Sequence, residues 1–292
     1  MTVATLRRVV AVLFTCAAAG CAGQAQSLSP VRALQVGSIP DDPAPGERYF
    51  LLVFGSETTP RVPRYTHTWA TVVKTREAPG CAPQVAEVHT ISWMPADLVI
   101  HPWRFTPEPG RNLELHETVR MALGSREHVA LWGPYEVHPR LYRRFLLQKA
   151  FMESGRVGYQ CIDTLGEGAN GSGCDCIHAV TDMDPQFDRG YYPLSRFGEA
   201  GSRFIVRQLF ERDLLVSGGT ESWLEGPLGL CHYPIIHRVY RDRPHLFGSH
   251  RQGAATGGPG DGESGRAGTA APGHDAAGLA PPGAAAPSAD CR

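Results

Sequence analysis

The stretch Tyr65-Thr66-His67-Thr68-Trp69-Ala70-Thr71-Val72-Val73 indicates how the first part of this chain folds. Residues 67–74 alternate in character and are rich in threonine, tryptophan and valine, which is typical of a β-strand. Residues 49–54 form a continuous apolar run of strand length, and residues 84–93 predict another strand, which ends before Pro95. These three runs predict a β-sheet in the first part of the chain.

Helical and strand patterns are mixed in the rest of the chain. Residues 113–123 predict a helix, because Leu115, Val119 and Leu123 recur every four residues. Further helices are predicted at 139–153, 176–183 and 202–212, and further strands at 98–101, 129–135, 157–163 and 234–240. This mixture predicts an α+β fold with a mainly antiparallel sheet packed against helices.

A second segment, Cys174-Asp175-Cys176-Ile177-His178-Ala179-Val180, follows a glycine-rich loop and opens an apolar helix. Asp175 can cap that helix, and a thiol in the first helical turn is expected to have a lowered pKa. A cysteine nucleophile also needs a base and a group that orients the base. His67 is the candidate base and His89 is the candidate orienting residue.

Two other interpretations of this segment stay open. Cys174 and Cys176 can be joined in a disulfide or simply be buried. Cys174, Cys176 and His178 could instead bind a metal, but one intervening residue makes a poor zinc pair. The sequence therefore predicts no metal site and no cofactor.

The order of these motifs resembles the circularly permuted branch of the NlpC-type papain-like cysteine hydrolases and acyltransferases. That branch includes the lecithin retinol acyltransferase group and exported lipoproteins of the YaeF/YiiX type. Its nucleophile lies in an Asn-Cys-x-His-hydrophobic-Val segment, which Cys176-Ile177-His178-Ala179-Val180 matches with Asp175 in the place of Asn. His67-Thr68-Trp69-Ala70 resembles the segment of the base. The run Ile91-Ser92-Trp93-Met94-Pro95 also resembles an uncharacterised family of bacterial lipoproteins.

The resemblance implies a permuted papain-like fold with Cys176 as nucleophile, His67 as general base and His89 as orienting residue. It does not cover residues 98–160, which are therefore expected to be an insertion.

The N-terminus has the pattern of an export signal. Arg7 and Arg8 precede an apolar run at 9–19, and Ala18-Ala19-Gly20-Cys21 resembles a bacterial lipobox. We expect a signal peptide at 1–20 and lipidation of Cys21, which would anchor the protein to the membrane of the cell envelope. The alternative is a plain secretory signal that is cut near Ala22 or Ala25 and releases a secreted protein.

Composition sets the remaining boundaries. Residues 21–46 predict a flexible tether, residues 47–248 the folded domain, and the Gly/Ala/Pro-rich residues 249–292 a disordered tail. With 28 basic and 29 acidic residues the chain lacks the basic surface that a nucleic-acid partner requires.

An exported chain experiences oxidising conditions, so its cysteines favour disulfides. Cys16 leaves with the signal peptide, and a bridge between Cys161 and Cys174 would span the glycine-rich loop. The other cysteines that remain after export are Cys81, Cys176, Cys231 and Cys291.

Two functional hypotheses follow. The first is an exported, lipid-anchored thiol hydrolase or acyltransferase that acts on an amide or ester, with a cell-envelope peptide or acyl lipid as substrate. The second is a catalytically inactive envelope lipoprotein that binds glycan, peptide or lipid and has its cysteines in disulfides.

Overall fold

The computed structural model describes residues 26–35, 39–189 and 197–240. The predicted signal peptide at 1–20, the lipidation site Cys21 and the predicted tail at 249–292 lie outside the described residues. The strands are β1 Glu47–Glu57, β2 Thr66–Arg76, β3 Gln84–Ile91, β4 Trp93–Pro95, β5 Gly110–Asn112, β6 His128–Val137, β7 Gly158–Tyr159, β8 Gly173–Cys174, β9 Leu215–Thr220 and β10 Ile235–Arg238.

The α-helices are α1 Leu115–Gly124, α2 Pro139–Met152, α3 Cys176–Thr181 and α4 Glu199–Glu211. Short 3₁₀ helices occupy Pro30–Ala33, Pro63–Tyr65, Gly166–Asn170, Ser222–Glu225 and Leu230–His232. None of the helices in the described ranges combines the length and the apolar character that a membrane span requires.

The main sheet has six strands in the order β10-β6-β1-β2-β3, with β9 paired to β6. The pairs along β6, β1, β2 and β3 are antiparallel, and β10 joins β6 in parallel. Two further sheets of two strands each, β4-β5 and β7-β8, lie outside it. The predicted α+β fold with a mainly antiparallel sheet is confirmed.

Both faces of the main sheet are covered, and the alternation of β2 divides the core into two clusters. Trp69 and Val73 face one side, where α1 packs over them. Ala70 and Val72 face the other side, together with residues of α2, α3 and α4. We call these the Trp69 face and the Ala70 face. Because alternate residues of a strand point to opposite faces, every β2 residue can be assigned to one of them.

Two sequence predictions between residues 98 and 160 need correction. Residues 98–101 form no strand: Leu98 closes a turn onto the carbonyl of Pro95 and has a positive φ of 63°. The predicted insertion at 98–160 contains β6, which pairs with β1 inside the main sheet and buries Val129 and Leu131 completely. This part of the segment is therefore central to the fold.

The predicted tether at 21–46 is also partly wrong. Ser29 donates to Gln148 on α2 across 2.5 Å, and Val31 is fully buried. Arg32 donates to the backbone oxygens of Asp184 and Phe187. Residues 27–32 are thus packed against the domain, because their polar side chains satisfy buried groups that nothing in their own composition reveals.

Candidate functional site

The two motifs that lie far apart in the chain adjoin each other in the fold. Cys176 is the first residue of α3, and Asp175 caps the helix by accepting from the backbone N–H of His178 across 2.7 Å. The helix packs on β2, and the backbone N–H of Thr68 lies close enough to the Cys176 thiol to favour its charged form. Cys176 therefore contacts the residue that follows His67.

The environment of Cys176 favours the neutral thiol. Its side chain is buried, and burial raises the pKa of the Cys176 thiol well above its usual value. The negative charge of Asp175 raises this pKa further, while the backbone N–H groups of Thr68 and Cys176 act in the opposite direction. Since α3 has only six residues, its dipole is too weak to reverse the cost of burial.

His67 is held by a serine. Its Nε2 lies 2.8 Å from the Oγ of Ser92, which follows β3, and the backbone N–H of Ser92 is fixed by Asn112 across 2.7 Å. The Nδ1 of His67 is buried and has no partner among the described residues. Burial lowers the pKa of His67 to about 3, so the ring is neutral at physiological pH.

The proton on the His67 ring can be assigned from this network. The hydroxyl of Ser92 has no other hydrogen-bond partner in the described part of the chain. If it donates to Nε2, the only unmet group is the N–H at Nδ1. If Nε2 donates to Ser92 instead, both the lone pair at Nδ1 and the hydroxyl proton of Ser92 are unmet. The structure therefore favours a His67 that offers an N–H donor from Nδ1.

The predicted catalytic residues do not form one hydrogen-bonded group. No hydrogen bond joins Cys176 to His67 within the described ranges, and the His67 ring stacks on Trp69 with centroids 5.4 Å apart. His67 thus belongs to the Trp69 face, whereas α3 packs on the Ala70 face.

His89 does not contact His67. It lies opposite Val72 in the β2–β3 register, and its Nε2 is 3.3 Å from Glu87. The pairing with Val72 places its side chain on the Ala70 face, away from the His67 ring. The predicted orienting contact is therefore made by Ser92 instead.

The predicted bridge between Cys161 and Cys174 is absent, and both thiols are buried. The β7–β8 register pairs Cys174 with Tyr159, and the Cys174 thiol donates to the backbone oxygen of Asp175 across 3.4 Å. The described cysteines, all of them free, are Cys81, Cys161, Cys174, Cys176 and Cys231.

A buried ionic network holds the start of α3. Asp163, Asp175 and His178 place potential ligand atoms within 4.8 Å of one another. Both ring nitrogens of His178 are already engaged, Nδ1 with Asp163 at 2.7 Å and Nε2 with the backbone oxygen of Arg189 at 2.5 Å. Burial alone would lower the pKa of His178, but Asp163 and Asp175 raise it to about 9. A protonated ring has no lone pair for a metal, so this cluster is an ion pair that fixes α3.

A pocket of about 300 Å³ opens beside His67. We call it the His67 pocket; its lining is Arg64, Tyr65, Thr66, His67, Met94, Leu98, Val99, Ile100, Met121, Ser125 and Glu127. Five of these side chains are aliphatic or thioether groups. The unusual backbone of Leu98 lies in this wall, and such conformations persist where the surrounding structure enforces them.

Glu127 supplies a titratable group to the same pocket. Burial raises its pKa to about 7, although the hydroxyl of Ser56 donates to Glu127 across 2.5 Å. Ser56 lies directly opposite His67 in the β1–β2 register, so the two polar pairs are neighbours on the Trp69 face. A buried carboxyl group with a pKa near neutrality beside a pocket is typical of functional sites.

Ser56, Ser92 and Glu127 are not among the site residues that the sequence predicts. Ser92 belongs to the run at 91–95, and nothing in that run indicates a contact with His67. Ser56 and Glu127 carry no local signal, because their proximity to His67 arises from the pairing of β1 with β2 and β6.

Comparisons with protein families, with characterised proteins and with solved structures found no match.

Proposed function

We propose that this protein is a ligand-binding protein of the cell envelope and that the His67 pocket takes the acyl chain of a lipid. The observation that carries the proposal is the composition of the pocket, in which five aliphatic or thioether side chains share the lining with the polar groups of His67 and Glu127. Sites for small molecules are typically apolar with a few polar groups that orient the ligand.

The polar groups suit the oxygen atoms at the end of an acyl chain. The N–H at Nδ1 of His67 can donate to a carbonyl or carboxylate oxygen, and so can Glu127 when it is protonated below its pKa of about 7. Arg64 lies in the same lining and has no acidic partner among the described residues; its guanidinium is 5.9 Å from the Tyr65 ring. It can supply positive charge to an acidic head.

Filling the pocket should abolish binding. Met121 on α1 lines it, so Met121→Trp is expected to lower the affinity for decanoic acid by at least about tenfold, or 1.4 kcal/mol. The measurement is calorimetric titration of decanoic acid into the full chain. Leu147→Trp is the matched control, because Leu147 on α2 is exposed and is not part of the pocket lining. Unchanged affinity in Met121→Trp, or no binding to the unmodified chain, would contradict the proposal.

A thiol hydrolase or acyltransferase is the second candidate, and one observation favours it. The helix of Cys176 packs on β2 beside Thr68, and this packing brings the two resembling motifs together. In this candidate Cys176 attacks the carbonyl carbon of an amide or ester, His67 moves the proton to the leaving group, and water or another acceptor releases the thioester. We place this candidate second because the Cys176 thiol is neutral and no hydrogen bond joins it to His67 in the described part of the chain.

Alkylation by iodoacetamide separates the two candidates. Because burial raises the pKa of Cys176, we expect slow labelling at neutral pH that accelerates only in alkaline solution. The buried thiols Cys161 and Cys174 serve as internal controls, read by peptide mass spectrometry. Rapid labelling of Cys176 at neutral pH that slows in His67→Ala would instead make the thiol chemistry the function.

A further inference from the structure

An exposed apolar surface lies beside the His67 pocket. Trp103 is 72% exposed, Phe105 52%, Tyr65 41% and Val62 38%. We call these four residues the aromatic patch. A hollow of about 730 Å³ is lined by residues 62–64 and 100–104, and it shares Arg64 and Ile100 with the His67 pocket. Grouped exposed aromatics of this kind mark interaction surfaces.

The charges around the patch are of both signs, and they include two arginines free to meet an anionic surface. Arg61 and Arg64 have no acidic partner among the described residues. Arg104 and His101 both pair with Glu108, which is only 7% exposed. Two exposed acidic residues lie nearby: Asp97, which accepts from the backbone N–H of Val99, and Glu167, whose backbone N–H donates to Phe105.

The patch also lies near the point where the described chain begins. Leu28 packs at Gly171, and the backbone oxygen of Phe105 accepts from Glu167 across 3.0 Å. Glu167 lies in the first part of the 3₁₀ helix Gly166–Asn170, and Gly171 follows its last residue. At about 2 Å per residue this helix is about 10 Å long. Leu28 therefore lies about one 3₁₀ turn from the contact that holds Phe105, and the predicted lipidation site Cys21 precedes Leu28 in the chain.

We propose that the aromatic patch docks on an anionic lipid bilayer, with Trp103 and Phe105 at the level of the headgroups and Arg61 and Arg64 against their phosphates. Aromatic side chains favour that interface because their rings are amphipathic. Arginine side chains near an anionic surface are attracted to it electrostatically. Arg64 belongs to both proposals, but the docking rests on Trp103, Phe105 and Arg61, which lie outside the His67 pocket.

Vesicle binding by a chain without its lipid anchor tests the proposal. Full-length Cys21→Ala protein is mixed with vesicles of phosphatidylcholine, with or without phosphatidylglycerol, and sedimented. We expect binding to the anionic vesicles alone. The double substitution Trp103→Ser/Phe105→Ser should reduce the bound fraction by at least about tenfold, which corresponds to 1.4 kcal/mol.

The matched control is Leu147→Ser/Val216→Ser, which removes two comparably exposed apolar side chains elsewhere and should bind as the parent does. Thermal unfolding confirms that each variant is folded. Brominated phospholipids give a second readout, because Trp103 is the most exposed tryptophan and should be quenched in the bound state. Absence of vesicle binding, equal loss in the control variant, or unquenched tryptophan emission on bound vesicles would each overturn the proposal.

Discussion

Replacing Arg144 with methionine is expected to destabilise the protein by about 3–5 kcal/mol. Arg144 on α2 and Asp184 after α3 are both fully buried, and their side chains are 2.5 Å apart. The substitution leaves the Asp184 carboxylate buried without its cation, and this uncompensated charge is the source of the loss. Chemical denaturation followed by circular dichroism measures the free energy of unfolding.

The double variant Arg144→Met/Asp184→Asn is the control for this effect. It removes both charges but keeps an oxygen at residue 184 for the backbone N–H of Gln186. Because Nε and Nη2 of Arg144 have no partners in the described part of the chain, little hydrogen bonding is lost with the arginine. The double variant should therefore be more stable than Arg144→Met, and equal stability would show that packing rather than charge explains the loss.

Replacing Trp69 with alanine is expected to cost about 3–5 kcal/mol and to change the titration of His67. The Trp69 ring is fully buried between Phe54, at 5.1 Å, and His67, at 5.4 Å. Removing it opens a cavity on one side of the imidazole. Because burial is what lowers the pKa of His67 to about 3, that pKa should rise towards 6.5 in the variant.

NMR titration of the His67 ring measures this shift, and Trp69→Phe is the control because it keeps an aromatic ring at the stack.

The lowered pKa of His67 also makes the stability of the protein depend on pH. Between pH 3 and 6.5 the unfolded chain binds a proton at His67 that the folded chain does not, so stability falls as the pH decreases through this window. The fall should be smaller in Trp69→Ala. An unchanged His67 pKa in a folded Trp69 variant would contradict the assignment of burial as the cause.

The sequence was a good guide to the strands and helices but a poor guide to the candidate site. β1, β2, α1 and α2 carry strong apolar patterns, and burial against the sheet follows from those patterns. The strand at 98–101 was predicted wrongly because a short apolar run looks the same in a turn that covers a pocket.

Contacts between residues far apart in the chain explain why the predicted site differs from the one in the structure. Nothing in the chain near Ser92 indicates that its hydroxyl meets His67, and nothing near Ser56 indicates Glu127. The motifs predicted that Cys176 lies beside His67, but the alternation of β2 decides to which face of the sheet His67 points, and a motif alone does not define that face. The roles of Cys176, His67 and His89 as a catalytic group stay a prediction.

The packing of residues 27–32 determines which proteolytic cuts leave the domain intact. A protease that cuts before Gln26 would leave a domain that keeps Ser29 on Gln148 and Val31 in the core. One that cuts after Arg32 would remove both contacts and leave the side-chain oxygen of Gln148 without its partner. If Cys21 carries the predicted lipid, a cut that frees an intact domain therefore has to precede Ser29.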